Sequence, residues 1–185
     1  MAKIVVWTKQ HVNVLNELQI KERYIAKKEY IVKELQEHTD LVLEVYDWYV
    51  RRASDFYSKP VDVEYPIWVS LSQEATMLQS KDTVIMEIEL EPELIMPVNI
   101  DKWGMILNYS YIPYNNEDAK RHKQLLNEYG TTDTQAYMSQ FYPIIKREII
   151  TSWERLFDDS IIINNEEKYG TIWELKREWI VNVIR

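Results

Sequence analysis

A chain of 185 residues with no cysteine, three scattered glycines and a net charge of −8 excludes several protein classes. Without cysteine there is no disulfide framework, thiolate zinc site or cysteine nucleophile. Gly104, Gly130 and Gly170 lie too far apart to build a dinucleotide fingerprint or a phosphate-cradling loop.

The charge is unevenly spread. Residues 61–118 carry two Lys/Arg against eleven Asp/Glu, while residues 1–60 carry ten against nine and residues 119–185 ten against ten. Binding to nucleic acid relies on Lys and Arg meeting phosphates, and the absence of a basic stripe argues against a nucleic-acid partner. The apolar run at residues 4–7 is shorter than a signal-peptide core of about 7–15 residues. No apolar stretch approaches the roughly 20 residues that span a bilayer. The expected location is cytoplasmic, with no membrane partner.

Residues 4–7 are a β-branched run ending on Trp7 and predict a first strand. Thr8 is placed to cap the helix whose face is marked by Val12, Leu15 and Leu18. Residues 29–57 contain neither Gly nor Pro and read as helix, with a restart at Thr39 or Asp40 and an end at Pro60. Residues 65–72 and 83–91 alternate as strands. In the second, Met86, Ile88 and Leu90 face one way and Glu87, Glu89 and Glu91 the other. That row reads as a solvated sheet face, which also protects an edge strand from mispairing.

Residues 101–109 predict a short helix. Asn115 or Asn116 caps the next, which Gly130 stops, and Thr132 or Asp133 starts a third. Pro143 kinks it or opens a new segment. Residues 161–163 and 171–175 read as strands, and residues 178–184 as strand or helix. The expected architecture is one α+β domain over residues 1–185, a small, mostly antiparallel sheet flanked by helices.

Tryptophan marks several short blocks: Val6-Trp7-Thr8-Lys9-Gln10, Tyr46-Asp47-Trp48, Tyr65-Pro66-Ile67-Trp68, Ser152-Trp153-Glu154-Arg155-Leu156-Phe157-Asp158 and Ile172-Trp173-Glu174-Leu175. Trp103-Gly104-Met105-Ile106-Leu107-Asn108-Tyr109 lies among them. Their order and spacing resemble DUF3841, a bacterial domain-of-unknown-function family, from Trp7 to about Val183. The Ser-Trp-Glu-Arg-Leu-Phe-Asp and Tyr-Pro-Ile-Trp blocks are the most specific. The chain departs from the family at Ser70, where a further aromatic is common, and near Gly170-Thr171, where glutamine is common. The resemblance implies no particular chemistry.

Two readings of the blocks stay open. In the structural one, Trp153 fills a core and Glu154 and Arg155 find separate ion-pair partners, because adjacent helix positions point in different directions. In the other, the layout is similar to ADP-ribosyltransferase-like folds, which bind a nicotinamide dinucleotide without a glycine fingerprint. That similarity implies ligand contacts from Trp7, Thr8, Trp68, Ser70 and Arg155, with NAD as cofactor and Glu174 as the catalytic carboxylate. Indole faces would sandwich the nicotinamide, and Glu174 would stabilise the positive charge that develops as it leaves. The arginine or histidine usual at the first position is absent unless His11 or Lys9 substitutes.

His11, His38 and His122 lack metal-ligand spacing and are expected on exposed helix surfaces. The serines lack a nucleophile-elbow context. Asp158-Asp159 reads as a helix-ending turn. The expected function is a non-catalytic binding or regulatory domain whose acidic face docks a basic protein partner. The alternative is a nucleotide-processing enzyme resembling an ADP-ribosyltransferase.

Overall fold

The computed structural model describes residues 2–35, 39–76 and 79–185 and has an α+β fold. In chain order its elements are β1 (Ile4–His11), α1 (Val12–Lys21), β2 (Arg23–Tyr24), α2 (Lys28–Leu35), α3 (Thr39–Phe56), β3 (Ile67–Ser70), β4 (Thr83–Leu90), β5 (Met96–Asn99), α4 (Ile100–Leu107), α5 (Asn116–Tyr129), α6 (Asp133–Met138), α7 (Pro143–Ser152), β6 (Lys168–Ile172), β7 (Leu175–Lys176) and β8 (Ile180–Ile184). Short 3-10 helices cover Pro92–Leu94, Trp153–Phe157 and Arg177–Trp179. Two compact units result: Met1–Pro97 with Lys168–Arg185, and Val98–Glu167.

The six-stranded sheet runs in the order β5-β6-β3-β1-β4-β8, and β2 and β7 form a separate two-stranded ribbon. β1 pairs antiparallel with β4 along its whole length, from Ile4 opposite Leu90 to His11 opposite Thr83. Residues opposite one another share a face. Val6 therefore joins Met86, Ile88 and Leu90 on one side, where Val14, Leu15 and Leu18 of α1 complete the core with Ile67, Val69 and Ile172. Burying each such side chain contributes about 1.5–3 kcal/mol.

On the other side, α3 turns Leu43, Val45, Trp48, Tyr49 and Ala53 inward. The Tyr49 hydroxyl bonds the Thr171 hydroxyl at 2.6 Å, and its ring stacks on Trp68 with centroids 6.2 Å apart.

Several expectations need correction. β1 runs four residues beyond Trp7, so Thr8 lies inside the strand and does not cap α1. His11 is the cap, its Nδ1 accepting from the Asn13 amide at 3.1 Å. β4 is an interior strand between β1 and β8, so Glu87 and Glu89 do not protect an edge. Residues 161–163 form no strand; Ile161 is instead held in a turn by its amide bond to the Asp158 carbonyl.

In the second unit the caps follow the sequence closely. Asn115 caps α5, Gly130 ends it at φ +62°, Thr132 and Gln135 form a reciprocal capping box on α6, and Pro143 opens α7.

The remaining two glycines are opposites. A Cβ on Gly170 would lie 2.6 Å from Ile95 Cγ2 and 2.9 Å from Val69 Cγ2, whereas one on Gly104, inside α4, would meet nothing within 4 Å. Gly170→Ala is expected to destabilise the protein by about 1–3 kcal/mol through overpacking, and Gly104→Ala to stabilise it by about 0.5–1 kcal/mol. Urea unfolding of the two variants beside the parent checks both signs.

Candidate functional site

Successive strand residues point to opposite faces. Trp7 therefore faces away from Val6, onto the side of the sheet that α3 approaches. Across β1 and β3 it stands opposite Ser70, and across β1 and β4 opposite Glu87. Trp68 stands opposite Thr171 on the same side, and Glu89 opposite Val5. Trp7, Trp68, Ser70, Glu87 and Glu89 thus share one face, with Ser70 buried and the other four half-buried.

Neither Glu87 nor Glu89 has an ion-pair partner among the described residues. The Trp7 indole N–H is buried and has no acceptor. Trp173, 7% exposed, also buries its indole N–H without an acceptor.

The other expected site residues are placed differently. Thr8 points to the opposite face and is 1% exposed; its hydroxyl donates to the Trp68 carbonyl at 2.9 Å and accepts from Gln10 Nε2 at 2.9 Å. Glu174 follows β6, and its carboxylate is ion-paired with Arg23 Nε and with Lys176 Nζ at 3.4 Å. Arg23 also binds Asp62 at 2.6 Å. These two carboxylates, Asp62 foremost, raise the Arg23 pKa further, and the guanidinium holds the Asp62 carboxyl below its usual range. An open groove of about 510 Å³ lies alongside, lined by Glu22, Arg23, Lys176, Arg177, Glu178 and Ile180.

Arg155 belongs to the second unit, at the centre of a polar cluster. Its guanidinium donates to the Ile112 carbonyl, to the Tyr111 hydroxyl at 3.1 Å and to Asp118 at 3.0 Å. Asp118 also accepts from Tyr111 at 2.7 Å, from the Tyr114 amide at 2.8 Å and from Arg121 at 3.0 Å. Burial opposes ionisation of Asp118, but these bonds and the Arg155 charge prevail and lower its pKa to about 2. Below Arg155, Trp153 is 1% exposed and its indole donates to the Ser110 carbonyl at 2.9 Å. Lys102, 1% exposed, is held by the Arg155 and Asp158 carbonyls at 2.9 and 2.7 Å.

One histidine lies where the sequence did not place it. His122 is not exposed; it is 4% accessible, stacked on Tyr111 and bonded to both Asp133 and Glu148. The available signal was the composition of α5. With only Ala119, Leu125, Leu126 and Tyr129 as apolar residues, that helix needs a polar anchor. His11 is exposed at the start of α1, and His38 lies outside the described residues. Among the described residues no group of three or more His, Asp or Glu could hold a metal ion, and no helix is long and apolar enough to cross a membrane.

Asp118 generates a pH prediction. A carboxyl whose folded pKa is depressed contributes stability above its ordinary value of 3.8, and that contribution is lost as pH falls through about 2. A carbonyl-carbon NMR titration is expected to place its midpoint near 2. Asp118→Asn should be less stable at neutral pH and should lose this part of the acid dependence. A midpoint near 3.8 would contradict the clamp.

No curated protein and no solved structure matches the chain. The family model for the domain of unknown function DUF3841 matches residues 5–181, which takes in the Trp7, Trp68, Arg155 and Trp173 blocks together. The chain belongs to the DUF3841 family.

Proposed function

We propose that the chain is a non-catalytic binding module whose acidic, tryptophan-bearing sheet face receives cationic side chains of a protein partner. The observation that carries this reading is the state of Glu87 and Glu89. They are half-buried on an interior strand, opposite Trp7 and Val5 of β1; Lys9 lies on the same face diagonal to Glu87, yet neither carboxylate forms an ion pair among the described residues. A carboxylate that gives up hydration without a counter-charge is at a disadvantage, and an arriving ammonium or guanidinium removes it. An indole face adds about 0.5–2 kcal/mol of cation–π attraction when the cation is within about 6 Å of the ring.

The groups that a transferase would need are occupied. Glu174 is tied to Arg23 and Lys176, and Thr8 to the Trp68 carbonyl. A nicotinamide dinucleotide site on Glu174 would first have to break its two ion pairs.

The test is a titration of the full chain with Arg- and Lys-rich peptides, with a Glu-rich peptide as control, followed by tryptophan fluorescence. The cationic peptides are expected to bind and to weaken with salt. The Glu87→Gln/Glu89→Gln variant should lose at least about tenfold in affinity, roughly 1.4 kcal/mol. Equal binding by the acidic peptide, or no effect of the double variant, would remove the reading. In parallel, NAD should give no thermal shift. Bound NAD at 100 times its dissociation constant would add about 2.7 kcal/mol, and a shift of that kind abolished by Glu174→Ala would establish the enzyme instead.

A further inference from the structure

We infer that His122 is a buried imidazolium that bolts α5 to α6 and α7, and that loss of its proton at alkaline pH loosens these helices, making the second unit a pH-sensitive clasp. The inference stands on geometry. His122 Nε2 lies 2.6 Å from Asp133 Oδ1, and Nδ1 lies 3.0 Å from Glu148 Oε2. Ionised carboxylates only accept, so both ring nitrogens must donate, and only the charged ring carries two protons. A neutral ring would turn one lone pair towards a carboxylate oxygen inside a site that is 4% exposed.

The groups around the ring agree with this. From α5 come Arg121 and Asp118, from α6 Asp133, and from α7 Glu148. Tyr111 stacks on the ring at 3.9 Å between centroids, and Arg155 binds Asp118 from the 3-10 helix after α7. Three carboxylates are present. Arg121 and Arg155 supply two positive charges, and the imidazolium supplies the third. Losing its proton leaves one anion uncompensated in a partly buried cluster, which is costly. Burial pulls the His122 pKa down, but the bonds to Asp133 and Glu148 outweigh burial and raise it.

The sign follows from linkage. A histidine with a raised folded pKa contributes its full stabilisation below the unfolded value of about 6.5 and loses it as pH rises through the folded value. Over that interval the folded form holds one proton more, so the local folding equilibrium constant falls about tenfold per pH unit.

The experiment is ring-nitrogen NMR of the full chain from pH 5 to 10, with His122→Asn assigning the signal, beside hydrogen-exchange protection factors for α6 and α7. The expected ring is doubly protonated at pH 7, with a midpoint above 6.5 that Asp133→Asn and Glu148→Gln each lower. Protection should fall about tenfold per pH unit between about 6.5 and that midpoint. A ring that is neutral at pH 7, a ring that keeps its proton to pH 10, or protection that is flat while the ring titrates would each overturn the inference. These readings come from the unaltered protein, so they decide the question even if a variant fails to fold.

Discussion

The uninterrupted pairing of β1 with β4 assigns every residue of both strands to a face. It holds from Ile4–Leu90 to His11–Thr83. A slip of one residue would send Val6, Met86, Ile88 and Leu90 out of the core together, so the buried face holds the register firmly. The placement of Trp7 beside Glu87 is a consequence. Neither residue is drawn to the other by a bond among the described residues; both are carried there by the apolar side chains one position away. The meeting of Trp7 with Glu87 is therefore imposed by the core on the opposite side.

Within each unit the tryptophan blocks act as joints. In the first, the Tyr65 hydroxyl donates to Asp47 at 2.7 Å and the rings of Tyr46 and Tyr65 meet edge to face, which links the Tyr-Asp-Trp block to the Tyr-Pro-Ile-Trp block. In the second, Trp153 bonds the Ser110 carbonyl, and the Ile112 amide donates to Ser152 at 2.9 Å. Tyr109 closes α4 at φ +56° without glycine, a conformation costing roughly 1–2 kcal/mol. Its ring stacks on Tyr137 at 4.5 Å, and Tyr137 leans on Trp153. Most of the motif signal thus has a structural explanation that requires no ligand.

Local chemistry made most of the fold legible. Caps and breakers such as Asn115, Gly130, Thr132 and Pro143 act within four residues, so their consequences can be read along the chain. What required partners distant in sequence was misread. β1 continues past Trp7 because β4, some eighty residues on, supplies eight pairing positions. Thr8 then turns its hydroxyl to the Trp68 carbonyl instead of a helix amide. His122 looked exposed because the carboxylates that bury it arrive from α6 and α7. Of the expected site, the common strand of Trp68 and Ser70 was legible from alternation; the place of Trp7 beside them was not, because the β1–β3 pairing brings it there. The commitments of Glu174 and Arg155 were not, because Arg23, Asp118 and Lys176 must first be brought to them.

The distinction that matters for function is between polar groups that the fold satisfies and those that it leaves open. Arg23, Lys102, Arg155 and Glu174 would look reactive in a list of charges, yet each is bonded to other residues of its own unit. Lys102 is buried and Arg155 partly so, and breaking their bonds leaves a desolvated charge; the more exposed Arg23–Glu174 pair opens at smaller cost. Glu87, Glu89 and the Trp7 indole carry no such penalty. A buried donor without an acceptor already costs about 1–3 kcal/mol, and a ligand that supplies an acceptor, or a cation for the carboxylates, gains what the folded chain lacks. On the proposed reading, a partner draws on the Trp7 face and leaves the bonded Glu174 and Arg155 in place, although those two look more like catalytic residues.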